Sequence, residues 1–255
     1  MRNSTGIRPL QAGLLVAALT TLTSGIASAA APAHQSSAAV AADPATAARA
    51  QAKAAFARLQ ALAPTAEAMW NDRAPGPRAI LGLELTVAGS NPTERALQFV
   101  RTHGLVFGAP GSEWRVIGKS HMTDRDVIQL AQWHRVAGDA WLPVLDRTTT
   151  ITMDGAGKLL QVVNDALPVG AVAPAKLAEG DARRAAVLGL SSRKPNTGAQ
   201  LADASAGQLG LLVTDFATRL VWGVEVGAKA KVGRFAVYVD AHTGEVVQIR
   251  SLARH

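Results

Sequence analysis

The chain has 255 residues, 26 Lys and Arg against 19 Asp and Glu, a formal net charge of +7 and no cysteine. That length suffices for two small cores or one moderate one. Without cysteine there is no disulfide, thiolate zinc site, thiol nucleophile or lipoprotein anchor, and the modest, scattered positive charge makes no case for nucleic acid.

Arg2 and Arg8 precede a mostly apolar run over residues 10–22, and Ala27-Ser28-Ala29 supplies small residues for cleavage. Residues 1–29 therefore read as a Sec-type signal peptide, which predicts a secreted or periplasmic protein with no membrane association after cleavage. The run is short and broken by Thr20, Thr21 and Thr23, which argues against a retained anchor. Residues 30–77 read as a flexible Ala-rich segment with a helix. Residues 30–42 hold too few large apolar groups to drive collapse. Asp43 and Pro44 then fit an N-cap and first helical position, with Phe56, Leu59 and Leu62 on one face and Pro64 as the stop.

After a turn-rich break at 71–77, residues 80–87 read as a strand ended by Gly89-Ser90. Asn91, Pro92 and Glu94 form a near capping box for a helix whose buried side carries Ala96, Leu97, Phe99 and Val100, and which Gly104 terminates. Residues 113–119 predict a strand with Trp114 and Val116 on one side, and 121–126 a polar turn. Three further strands follow, at 127–131, 144–153 and 159–163. The connection 132–143 reads as long, whereas Asp154-Gly155-Ala156-Gly157 is a short hairpin turn.

A linker at 169–174 leads to a helix over 174–188, with Leu177, Ala185 and Leu188 on a shared side and Gly189 beyond it. A loop at 191–206 and strands at 208–214, 218–226, 233–239 and 245–249 complete the chain. Helix followed by antiparallel meander thus occurs twice, which predicts an α+β fold of two small domains, each a helix packed on a curved antiparallel sheet.

The run Phe235-Ala236-Val237-Tyr238-Val239-Asp240-Ala241-His242-Thr243-Gly244-Glu245-Val246-Val247 resembles the last hairpin of the PepSY domain, with Asp240, Thr243 and Gly244 as structural turn residues. Leu220-Val221-Trp222-Gly223-Val224-Glu225-Val226 looks like the preceding strand in propeptides of secreted metalloproteases. Asn91 to Gly104 with Val106-Phe107-Gly108, then Gln132, Pro143-Val144 and Asp154-Gly155, are similar to the FTP domain of fungalysin and thermolysin propeptides. That pattern carries a glycine just before the Pro-Val element and a second just after the aromatic that follows it, whereas this chain has Trp141-Leu142 before Pro143 and Leu145-Asp146 after Val144. The resemblance implies a cystatin-like or PepSY-like architecture, with an FTP-like domain at 78–168 and a PepSY-like domain at 174–250.

It also implies a non-catalytic, propeptide-like inhibitor or folding chaperone of a secreted zinc metalloprotease, acting in trans or on a protease encoded in a neighbouring frame. The His-Glu-x-x-His sequence of such proteases is absent, and the six histidines have no ligand spacing, so no metal, cofactor or catalytic residue is expected. The candidate partner-binding residues are Trp133, His134, Arg135 and Trp141, read as aromatic and charged anchors. Each also has a structural reading: Trp133 as a core cap, Trp141 as packing beside Pro143, His134 and Arg135 as a solvated edge, and Trp222 suits a core position. The alternatives are a general extracytoplasmic peptide- or protein-binding module and an orphaned propeptide fragment of a broken protease gene.

Overall fold

Alanines set how the first helix docks. In the computed structural model of the chain, which describes residues 44–195, 198–200, 203–214, 217–227 and 233–252, helix α1 spans Pro44–Leu62. Ala48, Ala52, Ala55 and Leu59 form its buried stripe, at the three- and four-residue steps that stack on one helical face. The expected face of Phe56, Leu59 and Leu62 is thus rotated: Leu62 is 63% exposed and Phe56 half-buried, edge-on to Trp70. Small side chains allow a closer approach than the larger apolar ones. The signal-peptide segment, residues 30–42 and the Asp43 cap lie outside the described residues.

Helix α2, Pro92–His103, begins as its residue types dictate: Asn91 Oδ1 accepts from the Glu94 backbone N–H at 3.0 Å, and Glu94 reaches back to the Ser90 N–H at 2.9 Å. Gly104 ends the α-helix as its C-cap, as expected, but without the left-handed conformation. It stays right-handed and leads into a 3-10 turn, Gly104–Phe107, which stops where Gly108 adopts φ +70°. The extra turn carries Phe107 to full burial between Phe99 and Trp114, with ring centroids 6.2 and 5.3 Å away.

The first sheet is antiparallel throughout: β1 Glu67–Met69, β2 Ala79–Leu81, β3 Leu85–Thr86, β4 Ser112–Met122, β5 Arg125–Arg135, β6 Trp141–Asp154 and β7 Lys158–Asn164. The strand expected over 80–87 is divided into β2 and β3 because Gly82 and Glu84 both take positive φ. The second sheet is a meander of β8 Gln208–Thr214, β9 Ala217–Gly227, β10 Arg234–Asp240 and β11 Val246–Ser251. With helices on antiparallel sheets, the fold is α+β, as the element order predicts.

The third helix, α3, spans Glu179–Arg193 and lies later than expected. It meets the second sheet through Ala182, Ala186 and Leu190, while Leu188 is 70% exposed. Gly189 lies inside the helix, where a Cβ would come within 2.4 Å of Val246 Cγ2, so its bare backbone serves close packing rather than termination.

The two sheets join at β6. Residues 144–147 of β6 stand opposite the single residue Gln132 of β5, because the register passes from Ala131↔Thr148 to Trp133↔Pro143. This wide bulge turns toward the second sheet, and Val144 pairs with Leu211 in a parallel bridge. Leu145 packs with Leu212, Val221, Ala236 and Tyr238 on the face of the second sheet opposite α3. Covered on both faces, residues 235–240 of β10 are buried without alternation, which accounts for their nearly continuous apolar run.

Candidate functional site

The candidate site is built where β5 turns back into β6. Residues 132–143 are not a long loop. β5 runs to Arg135, β6 starts at Trp141, and the Val136 N–H donates to the Ala140 carbonyl at 2.9 Å across a tight turn. Gly138 and Asp139 take φ +81° and +64°, the left-handed pair that matches the twist of a hairpin. Aromatic and β-branched residues on both sides favour strand over loop.

That hairpin brings all four predicted anchors to one end of the first sheet. Trp133 stands opposite Glu113 on β4 and Pro143 on β6, His134 opposite Ser112 and Leu142, and Arg135 opposite Trp141. Successive side chains alternate, so Trp133, Arg135 and Trp141 share a face and His134 takes the other. The Arg115 guanidinium lies 3.9 Å from the Trp133 ring centroid and its Nε donates to Glu113 Oε1 at 2.9 Å. Arg135 pairs with Asp139 across the turn at 2.7 Å. The result is a half-buried indole covered by a held cation, a cation-on-indole platform at the end of the sheet.

His134 is half-buried beside Gly111, its Nδ1 shielded from solvent and without a hydrogen-bond partner. Burial holds its pKa below the ordinary histidine value, which favours the neutral ring. Gln132, which the sequence reading places at the start of a loop, is fully buried in β5. Its amide nitrogen donates to Leu167 O at 2.7 Å and Ser112 Oγ at 2.9 Å, and its oxygen accepts from Leu167 N at 3.2 Å.

Beside the platform runs a groove of about 920 Å³, walled by Leu97, Val100, Leu105, Trp114, Val116 and Trp141, with Arg101 on its rim. Leu105 is 50% exposed there, and Ile117 just beyond is 57% exposed. Strand β4 pairs only with β5, so its outer edge is unpaired by any described strand. Arg115 and the groove were missed by sequence reasoning. Finding them requires the register of β4 on β5, which no local pattern reveals.

The turn after β10 is a separate feature. Asp240 Oδ1 accepts from the His242 and Thr243 backbone N–H groups at 2.9 and 3.0 Å, Thr243 Oγ1 accepts from Glu245 N at 3.3 Å, and Gly244 takes φ +77°. Burial raises the Asp240 pKa, but the backbone N–H donors outweigh it and hold the carboxyl below its ordinary range. Trp222, half-buried, donates from Nε1 to Leu177 O at 3.0 Å. Among the described residues no three His, Cys, Asp or Glu side chains converge as a metal site, and no described helix is long and apolar enough to cross a membrane.

No protein-family model matches the chain, and no curated protein matches it. Among solved structures, the Bacillus megaterium YpeB C-terminal domain is similar with a TM-score of 0.40 at 10% identity, over 80% of this chain and 96% of that one.

Proposed function

We propose that this chain is a non-catalytic binding protein that engages a secreted zinc metalloprotease in the manner of a propeptide, as inhibitor, folding chaperone or both. The observation that carries the reading is the gathering of Trp133, Arg135 and Trp141, with Arg115 stacked on the indole, at one end of the first sheet beside an apolar groove. Aromatic and arginine side chains at the centre of a patch contribute most of the binding energy in protein interfaces.

A second observation supports the FTP resemblance behind it. Asp146 stands where that pattern carries glycine, and its φ of +59° is the left-handed conformation that glycine takes without strain. The bulge geometry therefore suits the pattern even though the residue differs. A broader role, binding an extended segment of some other exported protein, draws on the same groove and needs no protease.

The deciding experiment titrates the purified chain against thermolysin-like and fungalysin-like proteases, following both cleavage of a small substrate and recovery of activity after denaturation. Inhibition or accelerated recovery at micromolar concentration supports the proposal. Neither effect on either protease overturns it.

A further inference from the structure

The groove beside β4 borders backbone as well as side chains. Residues 112–116 all line it, although alternate residues of a strand point to opposite faces. A cavity touches both sets only where it follows the strand's edge, and this edge has no strand partner among the described residues. The opposite wall comes from the last turns of α2 and the 3-10 turn, through Leu97, Val100 and Leu105. Beyond residue 116 the edge is interrupted by a bulge at Ile117, between Val116↔Leu130 and Gly118↔Gln129, so residues 112–116 form one uninterrupted run.

The charges define the occupant. Glu113 and Arg115 satisfy each other. Arg101 is exposed on the rim and makes no hydrogen bond or ion pair with any described residue. An apolar slot with an open backbone ladder and one unpaired cation suits a strand with apolar side chains and an acidic residue. The chain's own first 43 residues carry Arg2 and Arg8 and no acid before Asp43, which makes them a poor complement.

We infer that the groove between α2 and the free edge of β4 takes an extended, acidic and apolar peptide segment, added as a further strand to the first sheet and anchored on Arg101. The inference rests on the partner-binding role proposed above for this end of the sheet, but not on the partner's being a protease. Main-chain hydrogen bonds from residues 112–116 supply pairing, except for the Ser112 N–H, which donates to the Ala109 carbonyl at 3.4 Å; the walls of Leu97, Leu105 and Trp141 select apolar side chains, and Arg101 selects an acid.

The test is fluorescence anisotropy with the purified chain and capped peptides of about eight residues, enough to overhang the five-residue run at a rise of about 3.3 Å each. One peptide alternates valine and threonine with a central glutamate, and its twin has lysine there. The glutamate peptide is expected to bind at least about tenfold more tightly, and Arg101→Glu, at an exposed position, to invert the order. Methylating alternate peptide amides is expected to abolish binding in one register and spare it in the other, because only alternate groups face the ladder. Equal affinity for both peptides, no binding up to about 1 mM, or indifference to amide methylation in both registers overturns the inference. So does a dimer of the chain, seen by sedimentation, that the peptide cannot dissociate. Peptide binding with neither inhibition nor accelerated recovery of either protease upholds this inference and sinks the protease reading, and either effect without peptide binding does the reverse.

Discussion

Tyr238 of β10 donates its phenolic O–H to Asp146 Oδ2 at 2.8 Å, across the seam where the β6 bulge meets the second sheet. Arg250 of β11 reaches Asp146 Oδ1, also at 2.8 Å, so one carboxylate ties two strands of the second sheet to the first. Asp146 does so from φ +59°, which disfavours any residue with a Cβ. Asp146→Ala retains the strain and loses both partners, whereas Asp146→Gly loses the partners and relieves the strain. Urea denaturation is expected to show Asp146→Ala destabilised by about 2–4 kcal/mol and Asp146→Gly by about 1 kcal/mol less. The reverse order would show that backbone strain at the seam is not what these substitutions report.

Tyr238 is the sole tyrosine, so the ultraviolet signal of phenolate formation reports this group alone. Burial raises its pKa most, the hydrogen bond to Asp146 and that carboxylate's charge raise it further, and Arg250 opposes them. A group whose folded pKa exceeds its unfolded value of about 10 stabilises the fold fully below that pH and progressively less as pH rises through the folded value. Phenolate absorbance is therefore expected to appear well above the ordinary tyrosine midpoint, and stability to fall as pH rises above about 10. Asp146→Asn is expected to move the midpoint back down. An unchanged midpoint in that variant would remove Asp146 from the account.

Gln132 presents a different kind of tie, within the first sheet. Its buried amide serves Ser112 on β4 and both backbone groups of Leu167, a residue beyond β7. Gln132→Ala leaves those groups buried and unmatched, and Gln132→Glu keeps the length but replaces the donating nitrogen with an acceptor. Both variants are expected to lose about 2–4 kcal/mol in urea denaturation. A loss below about 0.5 kcal/mol in both would mean that water takes over the contacts.

The features legible in the sequence are those that residue types settle locally. The Asn91 cap works through a side chain three residues from its donor, and the Asp154–Gly157 turn through a carboxylate that accepts from Lys158 N at 2.8 Å. The α+β class follows from the order of such local elements. Helix faces were less legible: alanine looks neutral in a periodicity count, yet Ala48, Ala52, Ala182 and Ala186 are the docking residues because their size permits close approach. The β6 bulge was invisible, since it exists only as a mismatch in length between two strands that pair at both ends. Around the candidate site the aromatic anchors stood out by composition, whereas Arg115 became part of it only through cross-strand register.

Trp133 and Arg115 yield the prediction that bears most directly on function. The indole is half-buried on the face away from Trp114 and the main core, and among the described residues the cation over it pairs with Glu113. Removing the indole subtracts a contact surface without emptying the core, so Trp133→Ala is expected to weaken protease inhibition at least about tenfold while costing no more than about 1 kcal/mol of stability. Arg115→Lys keeps the charge but loses the planar stacking of guanidinium on the ring, so it is expected to weaken inhibition less than Trp133→Ala and more than Lys119→Ala, farther along the same strand. Inhibition constants and urea midpoints measured on the same preparations separate the two roles. A Trp133→Ala variant that inhibits normally but unfolds several kcal/mol more easily would return Trp133 to the core and leave the proposed surface without its anchor.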